Sequence, residues 1–142
     1  MKDIACALFV RDGRLLLAKR GPQRSKYPDR WDLPGGHAEA RDTLEGALAR
    51  ELGEELGVKP RAASEIAQLP EPHPDVYGAA TYHIFLVTEW EGEPEAHDDE
   101  HSALRWFEPE EAASLDDLSL PALKNIFLNL PQARGSSRSN RR

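Results

Sequence analysis

The run Arg50-Glu51-Leu52-Gly53-Glu54-Glu55-Leu56-Gly57 constrains this chain more than any other segment. Between residues 42 and 56, Leu44, Leu48, Leu52 and Leu56 recur every four positions, with Ala47 and Ala49 beside them, which predicts an amphipathic helix. Asp42 or Thr43 can cap its start, and Gly57 can stop it. At about 100° per residue, Glu51, Glu54 and Glu55 share an arc of about 100° that overlaps one edge of the leucine ridge. Three carboxylates partly withdrawn from water repel one another, the more so as the local dielectric falls. A hard divalent cation relieves that repulsion, and Mg²⁺ takes oxygen ligands while also binding phosphate oxygens. The competing reading is a plain solvated acidic face. Gly46 and Gly53, each costing roughly 0.5–1 kcal/mol inside a helix, weigh toward a requirement other than helix stability.

The rest of the chain reads as a mixed α/β protein. Residues 4–10 and 14–19 are strand-like and flank Asp12-Gly13, a hairpin signal. Residues 20–30 are polar and read as a loop; residues 31–33 are extended, because the position before Pro34 avoids the α region. Strands are expected at 65–69, 81–90 and 104–107. In the second of these Tyr82, Ile84 and Leu86 point one way, and His83, Phe85 and Val87 the other. Helices are expected at 109–115 and 119–130, the last with Leu123, Phe127 and Leu130 on one side. The acidic stretch 89–100 reads as a strand exit followed by a solvated loop.

Composition narrows the class. With 142 residues the chain is expected to form one domain, residues 1–133, followed by a disordered basic tail at 134–142 that carries Arg134, Arg138, Arg141 and Arg142. A net charge of −7 argues against a general nucleic-acid binder, and the single Cys6 excludes an internal disulfide or a thiolate zinc site. No apolar run approaches the ~20 residues of a membrane helix, and no signal-peptide pattern opens the sequence. A cytoplasmic protein without membrane association is expected.

Gly36, Arg50, Glu51, Leu52, Glu54, Glu55, Gly57 and Val58 stand at the spacing G-x5-E-x7-R-E-U-x-E-E-x-G-U, where U is bulky and aliphatic. This resembles the signature box of the Nudix hydrolases. Trp31-Asp-Leu-Pro-Gly-Gly-His-Ala-Glu39 is similar to the family's entry into the box, and Leu104-Arg-Trp-Phe-Glu-Pro-Glu-Glu to its closing strand and helix. One position departs: Asp42 stands where the family has Glu, and Ala40-Arg41 replaces the usual Pro-Gly. An altered loop with retained activity is expected.

The resemblance implies an α/β/α sandwich around a central mixed β-sheet. It implies a hydrolase of phosphorus-containing acid anhydrides that splits a nucleoside diphosphate derivative by water attack at phosphorus. A MutT-like (d)NTP pyrophosphohydrolase is the first reading. The alternatives are an ADP-ribose, nucleotide-sugar or dinucleoside polyphosphate hydrolase, or, in another class, a non-catalytic nucleotide-binding module. Carried over by position, Glu51, Glu54 and Glu55 with the Gly36 carbonyl would hold Mg²⁺, with Mn²⁺ as a substitute, and Arg50 would orient one of these carboxylates. The general base would be Glu54 or Glu55, or Glu100 outside the box, with Asp99 behind it. Lys19, Arg20 and Arg24 are the candidates for polyphosphate contact, and His37 and Glu39 for contacts at the site entrance. Lys26 and Arg30 read equally well as ordinary loop residues. His73, His97 and His101 read as surface. The oligomeric state stays open, a homodimer included.

Overall fold

The computed structural model describes residues 1–97 and 101–130. β1 (Lys2–Arg11) and β2 (Arg14–Arg20) form the opening hairpin, in register Val10↔Leu15 and Arg11↔Arg14. Asp12 and Gly13, at φ 54° and 77°, supply the left-handed pair its two-residue turn needs. The chain continues through β3 (Trp31–Asp32), β4 (Gly35–His37), α1 (Leu44–Leu56), β5 (Lys59–Pro70), α2 (Pro74–Tyr77), β6 (Ala80–Glu91), β7 (His101–Phe107), α3 (Pro109–Ala113) and α4 (Leu123–Leu128).

The sheet is mixed. β1 runs parallel to β6 from Lys2↔Ala80 to Phe9↔Val87, and antiparallel to β2 and β4. β5 lies antiparallel on the far side of β6, while β2 carries β3 and β7. Alternation along β1 divides the interior in two. Ala5, Ala7 and Phe9 pack with Leu48, Leu52 and Leu56 of α1. Ile4, Cys6, Leu8 and Val10 pack with Phe107, Leu123 and Phe127. β6 alternates likewise, with Tyr82, Ile84 and Leu86 on the α4 side and Phe85 and Val87 on the α1 side. Helices on both faces of a central sheet make this an α/β/α sandwich.

Thr43 caps α1 by accepting from the Gly46 N–H at 3.0 Å, and Gly57, at φ 71°, ends it. Several elements differ from expectation. β5 starts at Lys59 rather than 65 and contains no fully buried residue; its side chains alternate only between exposed and half-buried. It also breaks register against β6 at three points. β4 and α2 were not anticipated. α4 starts at Leu123, not at 119, because Leu118 forms a parallel bridge with Trp31, whose carbonyl accepts from the Ser119 N–H at 2.9 Å, and this holds the segment extended. Glu100, Asp99 and the tail at 134–142 lie outside the described residues. Among the described residues no helix is long and apolar enough to cross a membrane.

His83 clasps three strands together. Its Nδ1 lies 2.7 Å from Glu65 Oε2 on β5 and its Nε2 lies 2.9 Å from Asp3 Oδ1 on β1. Burial works to lower the imidazole pKa, but the two carboxylates outweigh it and hold it above its ordinary value of 6.5. A raised folded-state pKa stabilises fully below the unfolded value and loses its effect as pH climbs through the folded one. The stability advantage of wild type over His83→Gln in urea unfolding is therefore expected to be largest below about pH 6.5 and to shrink at alkaline pH. An advantage that does not vary with pH contradicts this account.

Candidate active site

The turn from β4 into α1 is organised by one arginine. Arg50 Nη1 donates to Asp42 Oδ2 at 2.8 Å, and Nη2 donates to the His37 carbonyl at 3.1 Å. Asp42 Oδ2 also accepts from the Glu39 N–H at 2.7 Å. Arg50 foremost, then the Glu39 N–H, hold the Asp42 carboxyl below its usual range. The same guanidinium stands 3.6 Å from Glu51 Oε2. Asp42, though shorter than Glu, thus still links the loop to the helix.

Glu51 folds over the double glycine. A Cβ on Gly36 would stand 2.3 Å from Glu51 Cδ, so only glycine admits the carboxylate there. Gly35 in turn lies against β1, where a Cβ would come 2.0 Å from the Ala5 carbonyl oxygen. One turn of α1 further on, Glu55 is 4% exposed and Glu54 is exposed. Among the described residues no three His, Cys, Asp or Glu side chains gather closely enough to hold a metal ion. The three carboxylates share a helix face without converging. Their chemistry nonetheless suits a hard divalent cation: every side-chain donor is an oxygen, and a buried carboxylate next to others favours positive charge.

A cavity of about 490 Å³ opens beside this turn. Gly35, Gly36 and His37 form part of its wall, and Arg20, Arg24 and Lys26 line it with Lys2, Asp32, Tyr27, Tyr82 and His101. Arg20 is fixed twice: its Nε donates to the Lys26 carbonyl at 2.7 Å, and its Nη1 stands 3.5 Å from Asp32 Oδ2. Burial pushes the Asp32 carboxyl up, against the pull of Arg20. Partial loss of water, then Lys2 and Lys26, push the His37 imidazole down, which favours its neutral form.

Of the sequence candidates, Arg20, Arg24, Gly36 and His37 meet at this cavity, and Glu51 abuts its Gly36 wall. Lys19 does not. The β2–β7 register shifts between Lys19 and Arg20, and the Lys19 ammonium sits 5.7 Å from the centre of the Trp31 ring. Glu39 lines a neighbouring depression with Asp3, Asp42 and His83. His101, read as surface, lies on the cavity wall, while His97 packs against Gly57. Lys26 belongs to the basic stretch already read from the sequence, Asp32 stands just before the Leu-Pro-Gly-Gly turn, and Tyr82 alone comes from a distant segment, β6.

The NUDIX domain model matches residues 1–128. The CTP pyrophosphohydrolase of Escherichia coli (strain K12) is 35% identical over 137 residues, covering 94% of this chain and 96% of that protein. The crystal structure of the MutT NUDIX hydrolase from Burkholderia pseudomallei superposes with a TM-score of 0.77 at 30% identity, covering 89% of this chain and 95% of the other. The solution structure of the E. coli ORF135 protein gives 0.75 at 31%, covering 99% and 95%. A sandwich of this topology, with its box helix set against a Gly-Gly turn, defines one class of enzyme, and the chain belongs to it: the Nudix hydrolases.

Gly36→Ala forces the Glu51 carboxylate aside. Hydrolytic turnover is expected to fall about a hundredfold with the thermal midpoint nearly unchanged. Full turnover in that variant removes Glu51 placement from the mechanism.

Proposed function

We propose that the chain is a Mg²⁺-dependent pyrophosphohydrolase that converts nucleoside triphosphates to the monophosphate and pyrophosphate. The observation that carries this reading is a cavity lined by the cationic side chains of Arg20, Arg24, Lys26 and Lys2, directly beside the Gly36–Glu51 contact. A polyphosphate needs that charge, and a cavity of about 490 Å³ suits a small ligand. Similarity to a CTP pyrophosphohydrolase over nearly the whole of both chains supports a triphosphate substrate.

Glu51, Glu54 and Glu55, with the Gly36 carbonyl, would hold Mg²⁺, which when bound would supply positive charge against the diphosphate oxygens. The basic side chains orient the phosphate chain against α1. Water forms the new P–O bond as the bridging P–O bond breaks, and its proton passes to a carboxylate. Glu54 suits that task better than Glu55, because a base must reach the water and Glu55 is 4% exposed. Glu100 lies outside the described residues. Arg50 works through Asp42 and Glu51, keeping the helix and the Gly36 turn in fixed relation.

Glu54→Gln is expected to lower kcat by at least about a thousandfold with circular dichroism unchanged. Adding Mg²⁺ or Mn²⁺ to wild type is expected to raise the melting temperature by mass action. A panel of (d)NTPs, oxidised (d)NTPs, ADP-ribose, nucleotide sugars and dinucleoside polyphosphates, with products analysed, tests the substrate class. Preference for any of the last three overturns the triphosphate reading, and no turnover of any compound favours a binding module.

A further inference from the structure

Glu71 is a carboxylate that the reaction does not use, yet its side chain is 0% exposed. It sits just past β5, in Pro70-Glu71-Pro72, where its own N–H bonds the Ala80 carbonyl at 2.9 Å. Tyr27 Oη donates to its Oε2 and Tyr82 Oη to its Oε1, each at 2.5 Å. The His73 N–H donates to Oε2 at 3.0 Å, and Lys26 Nζ lies 3.4 Å from Oε1. Burial opposes ionisation, but the two phenols foremost, with the His73 N–H and Lys26, hold the carboxyl below its usual range. One ionised group therefore joins three segments: the loop between β2 and β3, the turn around α2, and β6.

The loop does not hold that shape by itself. Tyr27 and Asp29 stand at φ 52° and 60°, a left-handed conformation that side chains other than glycine adopt at a cost. Lys26 is further held over the Tyr82 ring at 5.1 Å. Lys26, Tyr27 and Tyr82 line the cavity, whereas Glu71 stands behind them and off its wall.

We propose that Glu71 is a positioning residue for substrate affinity, holding Lys26 and Tyr27 against the cavity so that the ammonium meets the phosphate chain. This rests on the nucleotide reading above. Glu71 acts on binding and not on proton transfer, so its removal separates KM from kcat.

Steady-state kinetics of the full chain with CTP and saturating Mg²⁺ test it. Glu71→Gln is expected to raise KM about tenfold with kcat within about twofold. Glu71→Asp, which keeps the charge, is expected to recover part of that loss. Lys26→Met is expected to raise KM as well, and the double variant to be little worse than either single one, because the two share one effect. An unchanged KM in Glu71→Gln, with or without a lower melting temperature, overturns the proposal, as does a fall in kcat alone. Should Glu71→Gln fail to fold, Tyr27→Phe carries the test: a KM-selective rise supports the proposal and an unmoved KM overturns it. Wild type that turns over no triphosphate overturns the proposed function and this inference together. An active wild type with normal KM in the variants overturns this inference alone.

Discussion

The pairing of β1 with β6 is the constraint on which the rest of the molecule depends. Two parallel strands cannot be joined by a tight turn, so the chain between them must cross over. That crossover contains the basic loop, the Gly-Gly turn, α1 and the Glu71 turn. Because both faces of β1 are buried, α1 has a fixed floor in Ala5, Ala7 and Phe9. Small residues at two of those positions let the helix approach closely, and the Gly35 contact with Ala5 sets the turn at the same place. The position of Glu51 is thus a consequence of sheet packing more than of the helix itself.

Charge is handled by pairing at short range around this frame. Arg50 satisfies Asp42 and the His37 carbonyl while standing near Glu51. Arg20 is held between the Lys26 carbonyl and Asp32. Arg20 and Lys26 are tied by partners behind them, and that limits how much freedom a bound ligand would have to remove. Preorganisation of this kind also explains why a chain of net charge −7 can present a cationic wall.

The parts legible in the sequence were those governed by local rules. The four-residue leucine period gave α1, Gly57 its end, Asp12-Gly13 the hairpin, and alternation the two faces of β6. The box spacing pointed to the Gly36–Glu51 neighbourhood. What escaped was set by tertiary contact. The start of β5 escaped because neither of its faces is fully covered, which leaves no apolar stripe to read. Lys19 and Arg20 are neighbours at a strand end, and which of the two faces the cavity depends on the pairing of β2: Lys19 lies opposite Trp31 on β3, while Arg20 lines the cavity. Glu71 lies 44 positions from Tyr27 and 11 from Tyr82, separations at which no periodicity reports a contact.

β5 ends the sheet at an open edge, yet that edge is a poor template for growth. Its three slips against β6 bend the backbone out of the flat ladder that another chain would need to zip onto. Lys59 and Arg61 add charge at its start. The price of that irregularity is a weakly covered strand; the return is that crowding many copies together does not extend one molecule's sheet into the next.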